Sequence, residues 1–371
     1  MRVRFGRRGL ATAAALGTGR LCPPHYGYSA TKLALCATDE ADTLLIAGGV
    51  YGNVHALDAI ERRHAAERAA MGAGSRVRVA LNGDFHFFNA TPDAWDAINR
   101  RIHGAAPDGW SASLGNVEFE AAQLGGPELA GGCGCAYPEF VGDEVVSRSN
   151  AIVQRLTRAA FAAPGWSREW LGTLPMYAAC RVGGARVSIV HGDPRALAGW
   201  ALSAELFSEP KVRAWLEQAD ADIFASTHTC VTHARLVDRG PARPLGAVFN
   251  NGAAGMPCFD GELWGVMTRV STDWARAPPD SIFGVALREL GVRVDAIRVR
   301  YSAHAWQRTW EGWWPEGSAA RQGYGARMTR GLRDWTVERA FATTGDALRE
   351  VRPAAPPAGR GGEQERARHS L

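Results

Sequence analysis

Five short polar segments recur in the 371-residue chain, and they hold the side chains best suited to chemistry: Gly-Gly-Val-Tyr-Gly-Asn at 48–53, Asn-Gly-Asp-Phe-His at 82–86, Gly-Asn-Val-Glu at 115–118, Val-His-Gly-Asp-Pro at 190–194 and Thr-His-Thr-Cys at 227–230. They carry carboxylates, imidazoles, amides and a thiol, the residue types that ligate metals and move protons. Most follow an apolar, β-branched run: Leu44 to Ile46, Val77 to Leu81, Val187 to Val190, and Ile223-Phe224. Polar residues at the ends of buried strands converge in space, which is how an α/β site is assembled from distant sequence.

The order of these segments resembles the calcineurin-like metallophosphoesterase family, with its Asp-x-His, Gly-Asp, Gly-Asn-His-Asp/Glu, lone His and Gly-His-x-His. The resemblance runs from about Thr43 to Pro257. It is supported by Asn250-Asn251-Gly252-Ala253-Ala254-Gly255-Met256-Pro257, which is similar to a turn of the prokaryotic, phosphodiesterase-like branch. The resemblance implies an α/β fold, a four-layer α-β-β-α sandwich of two mixed sheets flanked by helices. It also implies a metal-dependent hydrolase of phosphoesters, mono- or diester, that uses a metal-activated water. Oxygen and imidazole ligands suit Mn, Fe, Zn or Ni, as one or two ions.

Carried over residue by residue, the resemblance makes Asp84, Asn116, His191 and His228 metal ligands, with Asp84, His191 and His228 central to catalysis. The other metal position is degenerate. Gly49-Val50-Tyr51 stands where the family has Asp-x-His, and Cys230 stands where it has the second His of Gly-His-x-His. Val117 replaces the His of Gly-Asn-His, a proton donor to the leaving group in many members. His86, two residues past Asp84 and so on the same side of an extended loop, and Cys230, as a thiolate, are further candidate ligands that would rebuild the position. Without them it is weak or empty. The alternative is a catalytically weak or inactive protein of this fold that binds a phosphorylated ligand or a partner.

Each residue also has a plainer reading. Asp84 could cap a turn, Asn116 could be a turn residue, and His191 could be a core imidazole bonded to Asp193. Cys230 could be a small buried hydrophobe. Tyr51 reads as packing, His55 as filler on the first helix, and His233 as outside the site. Cys133 and Cys135 read as a flexible Gly-rich loop, with a thiol-based role as a weaker alternative. Trp306, Trp310, Trp313 and Trp314 read as packing.

Composition narrows the class. The formal net charge of +4 divides into +6 over residues 1–38, −5 over 39–300 and +3 over 301–371, so the folded part is mildly acidic and no nucleic-acid partner is expected. No run approaches the roughly 20 apolar residues needed to span a bilayer. Seven irregularly spaced Cys outline no disulfide framework, and a cytoplasmic compartment is expected. Arg7-Arg8 before a short apolar run resembles a twin-arginine export signal without a clean cleavage site; a disordered or over-extended N-terminus is the preferred reading. The partner expected is a small phosphorylated substrate.

Spacing predicts an irregular lead-in over 1–40, a metallophosphoesterase-like domain over 41–305, a Trp-rich extension packing on it over 306–352, and a disordered tail over 353–371. Within the domain it predicts strands at 43–47, 76–81, 110–114, 176–182, 186–190 and 222–225, then a run of strands from 234 to 301. Helices are predicted at 53–71, 92–102, 143–161, 195–207 and 209–218.

Overall fold

A computed structural model describes residues 19–126 and 132–341. The possible export signal, the last residues of the extension and the 353–371 tail lie outside them.

The chain alternates strand and helix and then turns to strands alone. β1 (Thr38–Ala41), β2 (Thr43–Ala47), β3 (Val77–Asn82) and β4 (Trp110–Ser113) come first, followed by β5 (Tyr177–Val182), β6 (Ala185–Val190) and β7 (Ile223–Ser226). β8 (His233–Val237), β9 (Gly246–Asn250), β10 (Gly265–Ser271), β11 (Ser281–Leu287) and β12 (Val292–Val299) complete two six-stranded mixed sheets. One has the order β11-β12-β10-β2-β3-β4 and the other β1-β5-β6-β7-β9-β8. β2, β3 and β4 run parallel, as do β6, β7 and β9.

Alternation along the strands decides which face meets which layer. Ile223 and Ala225 of β7, with Val187 and Ile189 of β6 and Phe249 of β9, join Leu45 and Ile46 of β2 in one core. Phe224, Val190 and Val248 point the other way, into a second cluster with Val212, Trp215 and Leu216 of the helix Glu209–Gln218. The opposite sheet is covered by α1 (Val54–Met71), whose Ala56, Leu57 and Ile60 are buried, and by α2 (Pro92–Gly104). The result is the α-β-β-α layering.

Two expectations are corrected. Residues 195–207 form turns and no helix, because the buried Asp193 carboxylate takes the N–H groups of Arg195, Ala196 and Ala201 at 2.8, 3.2 and 3.1 Å. A side chain that binds local backbone donors competes with the helical ladder. Within the lead-in, residues 30–34 are helical, and β1 pairs in parallel with β5 from Thr38 onward.

Beyond β12, α3 (Ala303–Trp313) buries Trp306 and Trp310, and Trp314 follows it into the core. The Trp314 indole N–H donates to the Phe88 carbonyl at 3.0 Å, and Trp310 meets the Phe88 ring edge-on at 5.7 Å. The extension is thereby anchored just past the Asn-Gly-Asp-Phe-His segment. Among the described residues no helix is long and apolar enough to cross a membrane.

Candidate metal centre

All the motif segments lie at C-terminal ends of parallel strands: 48–53 after β2, 82–86 at the end of β3, 115–118 after β4, 190–194 after β6, 227–230 after β7, and 250–257 after β9. The crevice outside strand C-termini is where open α/β sheets place their sites.

The loops are stitched together by backbone bonds. Thr227 and His228 N–H both donate to the His191 carbonyl at 3.1 and 2.9 Å, and Gly49 N–H donates to Gly83 at 2.9 Å. Gly83 and Gly115 are required by close approach, since a Cβ on Gly83 would sit 2.4 Å from the Gly115 nitrogen, and one on Gly115 would sit 2.2 Å from Asp84 Oδ1.

Asp84, His191 and His228 come together: one ligand atom from each lies within 4.8 Å of the others, and all three residues are buried. His191 Nδ1 lies 2.9 Å from the Asn82 carbonyl, which can only accept, so Nδ1 carries the proton and Nε2 faces the site. Nε2 stands 3.4 Å from Asp84 Oδ2 and 3.1 Å from Asn116 Oδ1. The Asn116 amide nitrogen donates to the Cys133 carbonyl at 2.9 Å, which fixes Oδ1 toward the site. His228 Nε2 donates to the Cys135 carbonyl at 3.0 Å, leaving its buried Nδ1 with no partner among the described residues. Once His191 Nε2 gives up its proton, four lone-pair groups face one another here.

Burial pushes the Asp84 carboxyl up, but the charge and hydrogen bond of His191, then His228, outweigh it and hold the group below its ordinary range. Burial pulls His191 down, and Asp84 more than restores it, leaving it raised. Burial, then His191, lowers His228 to about 4. Two of the separations suit a divalent ion. Tetrahedral bonds of about 2.1 Å put ligands about 3.4 Å apart, close to the His191–Asp84 and His191–Asn116 separations.

His86 does not join. Its Nε2 pairs with Asn99 Oδ1 at 2.8 Å, its Nδ1 pairs with the Asn89 amide at 2.6 Å, and its ring stacks on Trp95 at 3.8 Å. Asp84 adopts a φ of 53°, which turns the chain between the two residues and breaks the i, i+2 alternation that would have placed them on one side. Cys230 is outside the cluster too: its thiol pairs with the Tyr51 hydroxyl at 2.7 Å, and burial raises it to about 11, against thiolate ligation. His55 is half-exposed beside Asp58, and His233 is buried, with Nε2 on the Leu202 carbonyl.

Two contributors went unassigned in the sequence. Glu118 accepts the N–H groups of Asp84 (2.7 Å), Gly115 (3.0 Å) and His86 (3.0 Å), tying the second motif loop to the third. Its signal was the Glu three residues after a helix N-cap. The Gly-Cys-Gly-Cys segment, expected as a free loop, is also a correction. Cys133 and Cys135 are buried, and their carbonyls orient Asn116 and His228, with the Trp200 indole N–H on the same Cys135 carbonyl at 2.8 Å.

No protein-family model and no curated protein matches the chain. Among solved structures, the hypothetical protein PH1004 from Pyrococcus horikoshii OT3 matches with a TM-score of 0.51 at 14% identity, covering 78% of this chain and 98% of that one. A metallophosphoesterase from Sphaerobacter thermophilus matches with a TM-score of 0.45 at 20% identity, covering 79% and 100%. The likeness is one of fold: two six-stranded mixed sheets flanked by helices, as in the Pyrococcus protein.

Proposed function

We propose that this chain is a metal-dependent hydrolase of phosphoesters, acting in the cytoplasm on a small phosphorylated substrate. The reading is supported by ligand atoms of Asp84, His191 and His228 lying within 4.8 Å of one another, with Asn116 Oδ1 3.1 Å from His191 Nε2 and the buried His228 Nδ1 unpartnered among the described residues. These four would hold a divalent transition ion such as Mn, Fe, Zn or Ni. Such an ion polarises a phosphoryl oxygen and brings water into its reactive range near neutral pH. The chain orients the ligands through the Asn82, Cys133 and Cys135 carbonyls, as outer partners of metal ligands commonly do. Val117, buried and apolar, offers no proton to a departing alkoxide, so diesters with good leaving groups suit the site best.

The test is hydrolysis of an aryl phosphodiester and an alkyl monoester by metal-loaded protein. The reading expects metal-dependent hydrolysis, faster on the aryl diester, and lost in His191→Ala and His228→Ala. A second reading, a binding protein of this fold without turnover, is favoured by Gly49, Tyr51 and Cys230, which supply no anionic ligand beside Asp84. Bound ion with no hydrolysis of either ester would select it.

A further inference from the structure

One flank of the candidate ion site has chemistry that the reading above does not use. Tyr51 and Cys230 meet there, hydroxyl to thiol at 2.7 Å, from the loops after β2 and β7. Both residues, like Asp84, hold left-handed backbone, with φ of 58°, 59° and 53°. Such residues cost about 1–3 kcal/mol each and persist only where surrounding structure insists on them. Here the insistence is visible. Tyr51 N–H donates to the Asp84 carbonyl at 3.1 Å, Gly52 N–H to Phe85 at 2.8 Å, and Cys230 N–H to Thr227 at 2.9 Å.

The Tyr51 ring packs on Phe87 and Phe88, with centroids at 5.4 and 5.7 Å. Its phenol carbon lies 3.1 Å from where a side chain on Gly49 would begin. The phenol therefore occupies the space that a ligand side chain from residue 49 would cross. Tyr324, on the helix Ala319–Arg330, packs on the same Phe87 and Phe88 rings at 5.4 and 5.3 Å. Arg327, on the same helix, holds the Cys230 and Pro257 carbonyls at 2.7 Å each. A phenol keeps its proton near neutral pH, and the Tyr51 hydroxyl lies against the Cys230 sulfur. This flank supplies hydrogen-bond donors and no anion.

A phosphoester bound at the ion leaves at least one anionic oxygen that needs a donor. We propose that the Tyr51 hydroxyl is that donor, and that its ring, filling the space a ligand from residue 49 would cross, holds the chain to one ion. The inference rests on the phosphoester reading. On substrate binding, Tyr51 would exchange a weak sulfur acceptor for a charged oxygen, the stronger kind of hydrogen bond.

The experiment uses the full chain. Metal content and the affinity for inorganic phosphate, by calorimetry on metal-loaded protein, are measured for wild type, Tyr51→Phe and Cys230→Ala. One ion per chain is expected in all three. Phosphate affinity should fall about 10- to 100-fold in Tyr51→Phe, the loss typical of a hydrogen bond to a charged group, and by no more than a few-fold in Cys230→Ala. Equal phosphate affinity in wild type and Tyr51→Phe, each with one ion, would overturn the inference and leave the functional reading standing. Two ions in wild type, or loss of the ion from Tyr51→Phe, would also overturn it. Wild type that takes up no ion would remove the functional reading, and this inference with it.

Discussion

Two imidazoles face the candidate ion site, yet only one of them, His191, should lose a proton to the ion near neutrality. His228 is lowered to about 4 by burial and by His191, so its Nδ1 is already a free lone pair near neutrality. His191 is raised by Asp84, 3.4 Å from its Nε2, and carries a second proton until a cation or higher pH removes it. The sign follows. A cation competes with the proton on His191, so affinity falls as pH drops below the raised value and levels off above it. Below that break, each pH unit should weaken binding about tenfold, or about 1.4 kcal/mol, the consequence of one proton displaced per ion. The assay is competition against a chelator of known proton linkage, from about pH 5 to 8, with proton release counted by calorimetry in two buffers. Asp84→Asn should move the break to lower pH, since the charge that raises His191 is gone. No proton release, or a break that Asp84→Asn leaves in place, would refute the assignment of charges to His191 and His228.

Other expectations follow from the packing. Glu118→Gln turns an amide N–H₂ toward backbone donors that now share the two carboxyl oxygens of Glu118. It should weaken metal binding about 10- to 100-fold, read by equilibrium dialysis. Trp310→Ala should destabilise the fold by about 3–5 kcal/mol in denaturant unfolding, since the indole is fully buried against Phe88. Arg269→Ala should cost about 3 kcal/mol. It strips Glu67 and Asp295 of a buried partner, although Arg63 and Arg293 remain beside them. His191→Ala should remove the ion while costing the metal-free fold only about 1–3 kcal/mol, the loss of a hydrogen bond to Asn82.

Most of the fold was legible because the strands read as short apolar runs and the helices as start signals with apolar spacing. The strand at 43–47 and the helix at 209–218 lie at their predicted bounds. What failed did so where side chains override local pattern. Asp193 folds 195–207 into turns by capturing three backbone donors, and nothing in the apolar spacing of Leu197 and Leu202 signals that. His86 was misplaced because its position was argued from extended-strand alternation, and the left-handed turn at Asp84 is a non-glycine conformation that composition does not announce. The segment around Cys133 and Cys135 contributes to the site through carbonyl oxygens, which every residue has. No residue-type argument could have picked it out.

Anomalous scattering tests the central claim most directly, using crystals of the full chain loaded with a transition metal and data collected at that metal's absorption edge. The account expects one peak per chain, within about 2.3 Å of Asp84, Asn116 Oδ1, His191 Nε2 and His228 Nδ1. A peak that avoids these four, or none at all, would contradict it.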